Sequence, residues 1–426
     1  MKLFELKNAL ISGRMDNRLA AVYEGKAQAM SQRERYIALI EHYEKNFSNL
    51  HENLRLFSTP GRTEVVGNHT DHNHGKVLAA SIDLDTIAAV KETDDGLISV
   101  NSIGNGSFSI DVNDVTMRED EKGTSEALVR GICEAFVKRG YKTGGFNAAV
   151  SSQVIIGSGL SSSASFEVLI ATILNHLFND GKVELLELAQ IARYAENEFF
   201  GKPCGLMDQM ACTIGGFVYI DFENSENPKM EKIEFDFEAE DHILCIVDTG
   251  GSHADLTEEY SAIKEEMCAV AAVLGGEFLR DICFTDFRSN IPLLREKVGD
   301  RAVQRAMHFY EENGRVDAAV RALLKSDFAK FKSFVEQSGN SSFKFNQNVY
   351  TSSCPKTQPV ALALAICEDI FKGKGVCRVH GGGFAGTIQV FMPRSELHRF
   401  TTEIKQIFGA KSCYILSIRN EGTCEV

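Results

Sequence analysis

QVIIGSGLSSSASFEVLIATILNHLF, residues 153–178, runs from a short apolar segment through a loop of small residues into a run with apolar positions every three or four residues. That order predicts a strand over 153–156, a loop, and a helix that starts within the serines. Small residues let backbone N–H groups approach an anion, and the unpaired N–H groups and dipole of a helix start favour negative charge. The same Gly and Ser could equally form a turn whose hydroxyls cap the helix. The loop is not of the GxxxxGK[ST] type, because no Lys follows its glycines.

Further along, Gly381-Gly-Gly-Phe-Ala-Gly386 contains the spacing GxGxxG. A dinucleotide-binding loop needs a helix after its last glycine, and TIQVFMP (387–393) is instead a strand pattern ending in Pro. This second loop is expected to be a tight turn between strands, packed on another loop or on a ligand.

Two polar clusters flank the first loop in sequence. GRTEVVGNHTDHNHG (61–75) gathers Arg62, Glu64, Asn68, His69, Asp71, His72, Asn73 and His74 around three glycines, a density of short hydrogen-bonding groups that suits a polyhydroxyl ligand or a solvated loop. AENEFFGKPCGLMDQMACTIGGF (195–217) sets Glu196 at the end of a predicted helix and Asp208 twelve residues later, beyond a Gly-Lys-Pro-Cys-Gly loop. Two such carboxylates can divide labour, one on a metal ion and one on a reacting hydroxyl, although either alone would read as a surface acid.

The rest of the 426-residue chain bounds these readings. With 45 Lys+Arg against 59 Asp+Glu the net charge is −14, which opposes a broad electrostatic grip on nucleic acid. No run approaches the ~20 apolar residues of a membrane span, and MKLFELKNALISG is broken by Glu5 and Lys7, unlike a signal-peptide core, so a cytoplasmic protein is expected. The eleven cysteines are scattered with no CxxC pair, which reads as buried thiols in a reducing compartment and not as a structural zinc site. Residues 1–55 are polar and helix-forming and predict two helices outside the main core. Strand patterns follow over LRLFSTPGRTEVVG, KVLAASIDLDTIAAVKET and LISVNSIGNGSFSIDV; helices alternate with single strands from Glu126 onward, and the last strands lie in CRVHGGGF, TIQVFMP and CYILSI. No 20–50-residue repeat is present, and the segregation of strands and helices predicts an α+β chain with a boundary near Asn224–Asp236.

Taken together, the chain resembles the galactokinase branch of the GHMP small-molecule kinases. GRTEVVGNHTDHNHG is similar to that family's sugar-binding signature, GSGLSSSAS to its phosphate loop, GKPCGLMDQ to the segment with its catalytic Asp, and GGGFAG to its C-terminal glycine loop; DTGGSHADLTEEY resembles a helix entry with a sugar-contacting Tyr. The resemblance runs from about Phe57 to the C-terminus. It implies an extension over 1–55, a ribosomal protein S5 domain 2-like domain over 56–230 and a ferredoxin-like domain over 231–426. It also implies an enzyme that uses ATP and Mg²⁺ to phosphorylate the anomeric hydroxyl of galactose or a galactose-like sugar, with these small molecules as its partners and neither nucleic acid nor membrane among them. Carried over by motif, Asp208 and Arg62 would be catalytic, and Asn68, His69, Asp71, Gly205 and Tyr260 would bind sugar. Gly157, Ser158, Gly159, Leu160, Ser161, Ser162, Ser163 and Ala164 would hold the phosphates, and Ser162 and Glu196 the metal.

Departures from the family pattern GRVNLIGEHTDYNGG are informative. Glu64 stands for its Asn, Asn68 for its Glu, His72 for its Tyr and His74 for a Gly, while Ile155 replaces a Pro before the phosphate loop, Ala385 a Gly in the last loop, and Thr357 and Gln358 acidic residues. The family's Glu faces the far end of the sugar, so a neutral amide at Asn68 predicts a pocket that admits a galacturonate-like sugar. The alternative to a sugar-1-kinase is a catalytically silent sugar and ATP sensor, against which the joint presence of Arg62, Asp208, Ser162, Ser163 and Glu196 argues. A GHMP kinase for mevalonate, homoserine or shikimate-like substrates fits HTDHN and KPCGLMDQ less well.

Overall fold

The computed structural model describes residues 1–23, 26–47, 53–155, 159–250 and 256–426, without the side chains of 26–29, 238 and 257. Three helices open the chain, α1 (Leu3–Ile11), α2 (Asp16–Val22) and α3 (Lys26–Phe47), before strands β1 (Arg55–Val66), β2 (Lys76–Thr93), β3 (Leu97–Ser102) and β4 (Gly106–Asp111). Helix α4 (Ser125–Lys138), strand β5 (Gly145–Ser152), helices α5 (Ser162–Phe178), α6 (Leu185–Tyr194) and α7 (Met207–Ile214), and strands β6 (Phe217–Asp221) and β7 (Lys229–Ile233) complete the first half. The second half holds β8 (His242–Asp248), α8 (Thr257–Val273), α9 (Phe284–Ser289), α10 (Ile291–Leu324), α11 (Phe328–Ser341), α12 (Pro359–Phe371), β9 (Val376–Val379), β10 (Thr387–Pro393), α13 (Leu397–Phe408), β11 (Cys413–Leu416) and β12 (Cys424–Glu425).

The first sheet has the order β12-β1-β2-β5-β3-β4, with β6 and β7 extending from the other half of the long β2; the second is the antiparallel set β11-β8-β10-β9. Period-two alternation sorts the side chains of the first sheet. Phe57, Ala88, Val90 and Ala148 face α4, α5 and α6, while their neighbours Leu56, Ile87, Ala89 and Ala149 face the N-terminal helices. Among the described residues the extension is therefore three helices and not two, and it covers one face of the main sheet. A buried polar knot reinforces that contact: Asp85 accepts from Arg419 Nη1 at 3.1 Å and Tyr23 Oη at 2.6 Å, and is also bonded to Arg35 and Ser58. In the second sheet Ile243, Cys245 and Val247 pack on α12 and α13, and Leu244 and Ile246 join α10, α11 and the first sheet's Val65, Leu78 and Ala80 in one core.

Two expectations shift. Residues 153–155 are not a strand, since β5 ends at Ser152, and position 156 lies outside the described residues; the apolar Val154 is instead buried in the core with Leu160. The first sheet also takes residues from both sides of the expected 230/231 boundary, because β7 pairs with β6 and β12 with β1. The GxGxxG segment is a turn between the paired strands β9 and β10, as its sequence context requires. Among the described residues no helix is long and apolar enough to cross a membrane.

Candidate active site

A register shift in β1 between Pro60 and Arg62 turns the strand toward the loop ahead of α5. Gly61 makes this approach possible, since a Cβ there would lie 2.9 Å from Leu160 O. The next residue, Arg62, donates its own N–H to that carbonyl at 3.2 Å. Its buried guanidinium forms a two-pronged pair with Asp208, Nε to Oδ1 at 2.7 Å and Nη2 to Oδ2 at 2.6 Å, and also reaches Gly159 O. Asp208 sits in the first turn of α7, where the helix dipole favours an anion. Burial pushes its carboxyl up, but the Arg62 guanidinium and the Ser161 hydroxyl outweigh that and hold it below the ordinary carboxylate value.

Helix α5 begins at Ser162, after Ser161 in a left-handed conformation (φ 59°). Its first N–H groups have no partner within the helix, which leaves an anion-binding turn beside Asp208. Ser163 Oγ donates to Glu196 Oε1 at 2.9 Å, so the hydroxyl that the structure sets on Glu196 is that of Ser163 and not that of Ser162. Glu196 itself lies on a π-helical turn, Ala195–Phe200, that continues α6 and turns the carboxylate inward. Gln209 Nε2 (2.8 Å), Cys204 Sγ (3.1 Å) and Lys202 Nζ (2.8 Å) complete its surroundings. A second buried carboxyl, Glu167, shares Gln209 with Glu196 at 3.2 Å, and burial together with the Glu196 charge drives it well above the usual range. Among the described residues no group of three His, Cys, Asp or Glu could hold an ion with protein ligands alone. One buried carboxylate and the serine hydroxyls at the first turn of α5 do suit Mg²⁺, which keeps water and phosphate oxygens for most of its shell.

Next to this turn, a cavity of about 490 Å³ is lined by Ser162, Ser163, Asn105 and the aromatic rings of Phe108, Phe166 and Phe200. It is large enough for a nucleoside, and sequence patterning did not point to it, because its rings come from three separated segments.

The other candidates gather at Gly205 and around the second glycine loop. Asp71 is half-buried in a short 3₁₀ turn, and a Cβ on Gly205 would collide with its carboxylate, so the glycine lets the two loops close on each other. Burial first, then the Glu64 charge, pushes Asp71 up to about 6. His69 Nε2 lies 2.9 Å from Gly382 O and its Nδ1 3.3 Å from His72 Nε2, while Tyr260 Oη donates to Gly383 O at 2.9 Å. Asn68 is fully buried; its amide donates to Glu64 Oε1 (2.9 Å) and Gly381 O (2.8 Å), and its carbonyl accepts from Asn348 (2.8 Å) and Ser342 (3.2 Å). The sugar-signature residues thus clasp the second glycine loop. In that loop the left-handed positions are Gly381, Gly383, Phe384 and Gly386, so Ala385 avoids the strained conformation that an Ala there could have met. Gly157 and Ser158 lie outside the described residues.

Sequence reading missed the groups that hold the signature in place. Arg378 Nη2 pairs with Glu64 at 2.7 Å, both buried, and Glu312 on α10 accepts from Gly67 N–H at 2.9 Å and from Arg315 at 2.7 Å. Burial opposes the Glu312 charge, yet Arg315 and its other partners bring the carboxyl down to about 2. The one available signal was the departure at Glu64, an acid just ahead of the apolar Val65-Val66 where the family pattern has a neutral Asn, which once buried needs a cation.

Known proteins resemble this chain in sequence and in fold. The profile of the GHMP kinases N terminal domain matches residues 127–216, and that of the galactokinase galactose-binding signature matches residues 41–92. A galactokinase of Streptomyces coelicolor is 30% identical over 362 residues, covering 83% of this chain and 89% of that one. A galactokinase of Clostridium tetani is 27% identical over 384 residues, 88% and 94% of the two chains. The fold is shared with Lactococcus lactis galactokinase complexed with galactose (TM-score 0.77, 24% identity, 92% of this chain and 100% of that one). A mevalonate kinase also shares it (TM-score 0.60, 18% identity, 86% and 99%).

Proposed function

Because the chain belongs to the galactokinase family of the GHMP kinases, phosphotransferases that use ATP with Mg²⁺, we propose that it phosphorylates the anomeric hydroxyl of galactose. The observation that carries this reading is the two-pronged Arg62–Asp208 pair set beside the open first turn of α5.

Nucleotide phosphates dock on that turn, with the adenosine in the cavity lined by Phe108, Phe166 and Phe200. Glu196 with the hydroxyls of Ser162 and Ser163 would hold Mg²⁺, which neutralises phosphate charge when bound. Asp71 and the loop at Gly205 orient the sugar so that its C1 hydroxyl meets Asp208. As the sugar oxygen bonds to the γ-phosphorus and the bond from that phosphorus to the ADP oxygen breaks, the hydroxyl proton passes to Asp208. Arg62 keeps this carboxylate ionised and immobile, which makes it a weak base whose main contributions are orientation and late proton acceptance. Three of its lone-pair directions are engaged by Arg62 and Ser161, and one remains for the substrate.

The expected galacturonate pocket loses support, because every hydrogen-bonding function of Asn68 is engaged by protein groups. Galactose is therefore the substrate we propose. A silent sensor is disfavoured by the intact Arg62–Asp208 pair. We also propose that the chain is organised as an extension, a first domain and a second domain near the expected divisions at 55 and 230, with β7 and β12 assigned to the first. The eleven free thiols suit a cytoplasmic setting. ATP consumption by the purified protein with galactose, galacturonate, N-acetylgalactosamine, glucose and arabinose tests the reading. Turnover confined to galactose is expected, and ATP binding without turnover of any sugar would instead favour a sensor.

A further inference from the structure

Glu196 is almost fully buried, and of the four groups on its carboxylate three come from the protein wall, namely Ser163, Gln209 and Cys204. The fourth, the Lys202 ammonium, arrives from the solvent side on a chain that is 60% exposed. Its backbone is fixed: Lys202 N–H donates to Glu196 O at 3.1 Å, Pro203 follows, and Cys204 N–H is held by Asn197 Oδ1 at 2.7 Å. The four-carbon stem beyond that anchor is free to reorient. Lys202 Nζ and Ser163 Oγ also donate to the same oxygen, Glu196 Oε1, so the ammonium stands against the first turn of α5.

We propose that Lys202 is a positioning residue for the metal–nucleotide complex: its ammonium neutralises Glu196 in the metal-free protein, yields that carboxylate to the divalent ion, and then pairs with nucleotide phosphate. This rests on the phosphotransfer reading of the site. An ammonium and a divalent ion cannot both sit on Oε1, because the ion binds carboxylate oxygen at about 2.1 Å and the two cations would repel at close range. The phosphates that accompany the ion place new negative charge where the displaced ammonium can reach it, so the one lysine serves both states.

The test compares the parent with Lys202→Met and Lys202→Arg in three measurements. Mn²⁺ binding to nucleotide-free protein is followed by the EPR signal of the free ion. ATP binding in the presence of EDTA is followed by calorimetry, and kcat and KM for ATP are determined separately. Lys202→Met should bind Mn²⁺ about tenfold more tightly and metal-free ATP about tenfold more weakly, as removal of one unit charge a few ångströms away predicts. Lys202→Arg should stay within about threefold of the parent in both. Thermal melts check that the variants fold. Unchanged Mn²⁺ affinity in Lys202→Met overturns the proposal whatever happens to turnover. Failure of the parent to turn over any sugar would overturn the kinase reading and leave the binding comparison intact.

Discussion

Glu64 and Asn68 are each departures from the family pattern, yet they touch: Asn68 Nδ2 donates to Glu64 Oε1 at 2.9 Å. Where the pattern has Asn first and Glu second, this chain has the same amide–carboxylate pair exchanged in place. The variant Asn68→Glu tests whether that pair is a structural unit. A carboxylate at this buried position can still accept from Asn348 and Ser342, but it loses both donors, faces Glu64, and leaves Gly381 O unpaired. Two like charges about 4 Å apart at an effective dielectric near 20 repel by about 4 kcal/mol. The other route is to bind a proton, and holding a carboxyl of ordinary pKa ~4.3 neutral at pH 7 costs about 3.7 kcal/mol. Both routes give a loss of about 4 kcal/mol, which lowers the melting midpoint of a chain this long by about 4–5 °C. The new carboxyl has its folded-state pKa raised, so its penalty is absent below ~pH 4 and grows as pH rises above it, leaving about 1 kcal/mol at pH 5. Exchanging both residues, Glu64→Asn with Asn68→Glu, restores an amide–carboxylate bond and should recover at least about 2 kcal/mol relative to the sum of the single changes. Thermal and denaturant unfolding of the four proteins at pH 5 and 7.5 measures this. An Asn68→Glu protein that melts within about 1 °C (about 1 kcal/mol) of the parent at pH 7.5 would refute this reading.

Asp71 titrates near pH 6 because burial and Glu64 disfavour its charge, so kcat/KM for galactose should fall about tenfold per pH unit below 6, and Asp71→Asn should lose that inflection. Its raised folded-state pKa also means that the parent loses stability as pH rises from about 4 to 6, so the melting temperature of Asp71→Asn should gain on the parent across that interval. Asp85→Ala should destabilise the protein by about 3–5 kcal/mol, because Arg35 and the fully buried Arg419 are left without their counter-charge. Burial opposes the Asp85 charge, but Arg35 and Arg419 hold its pKa low; its contribution is therefore present above the ordinary carboxylate pKa and is lost only in acid, which unfolding at pH 7 and pH 3 would show.

Much of this architecture was legible in the sequence where local pattern and tertiary need coincide. The helix after GSGLSSSAS, the turn at Gly381–Gly386 and the strand over 387–393 each follow from periodicity and turn chemistry. Arg62 and Asp208, 146 positions apart, were joined as catalytic residues through motif resemblance alone, since no local signal links residues so distant. What escaped has a common cause. The role of Glu64 depends on Arg378, that of Glu312 on Gly67, and the cavity beside α5 on rings from three segments, and each is a long-range contact that one side of the sequence does not announce. The N-terminal helices read as an appendage because their amphipathic faces say nothing of the partner; only the alternation of β1, β2 and β5 shows a second apolar face that needs cover.

The central claim, phosphoryl transfer to the C1 hydroxyl with Asp208 at the reacting oxygen, is tested most directly by product identity. Parent and Asp208→Asn proteins are incubated with ATP, Mg²⁺ and ¹³C-labelled galactose, and the product is followed by ³¹P and ¹³C NMR. Phosphorus coupled to C1 is expected in the parent, with a rate at least about a hundredfold lower in the variant and sugar binding retained. Phosphate at another carbon, or parent-like turnover by Asp208→Asn, would contradict it.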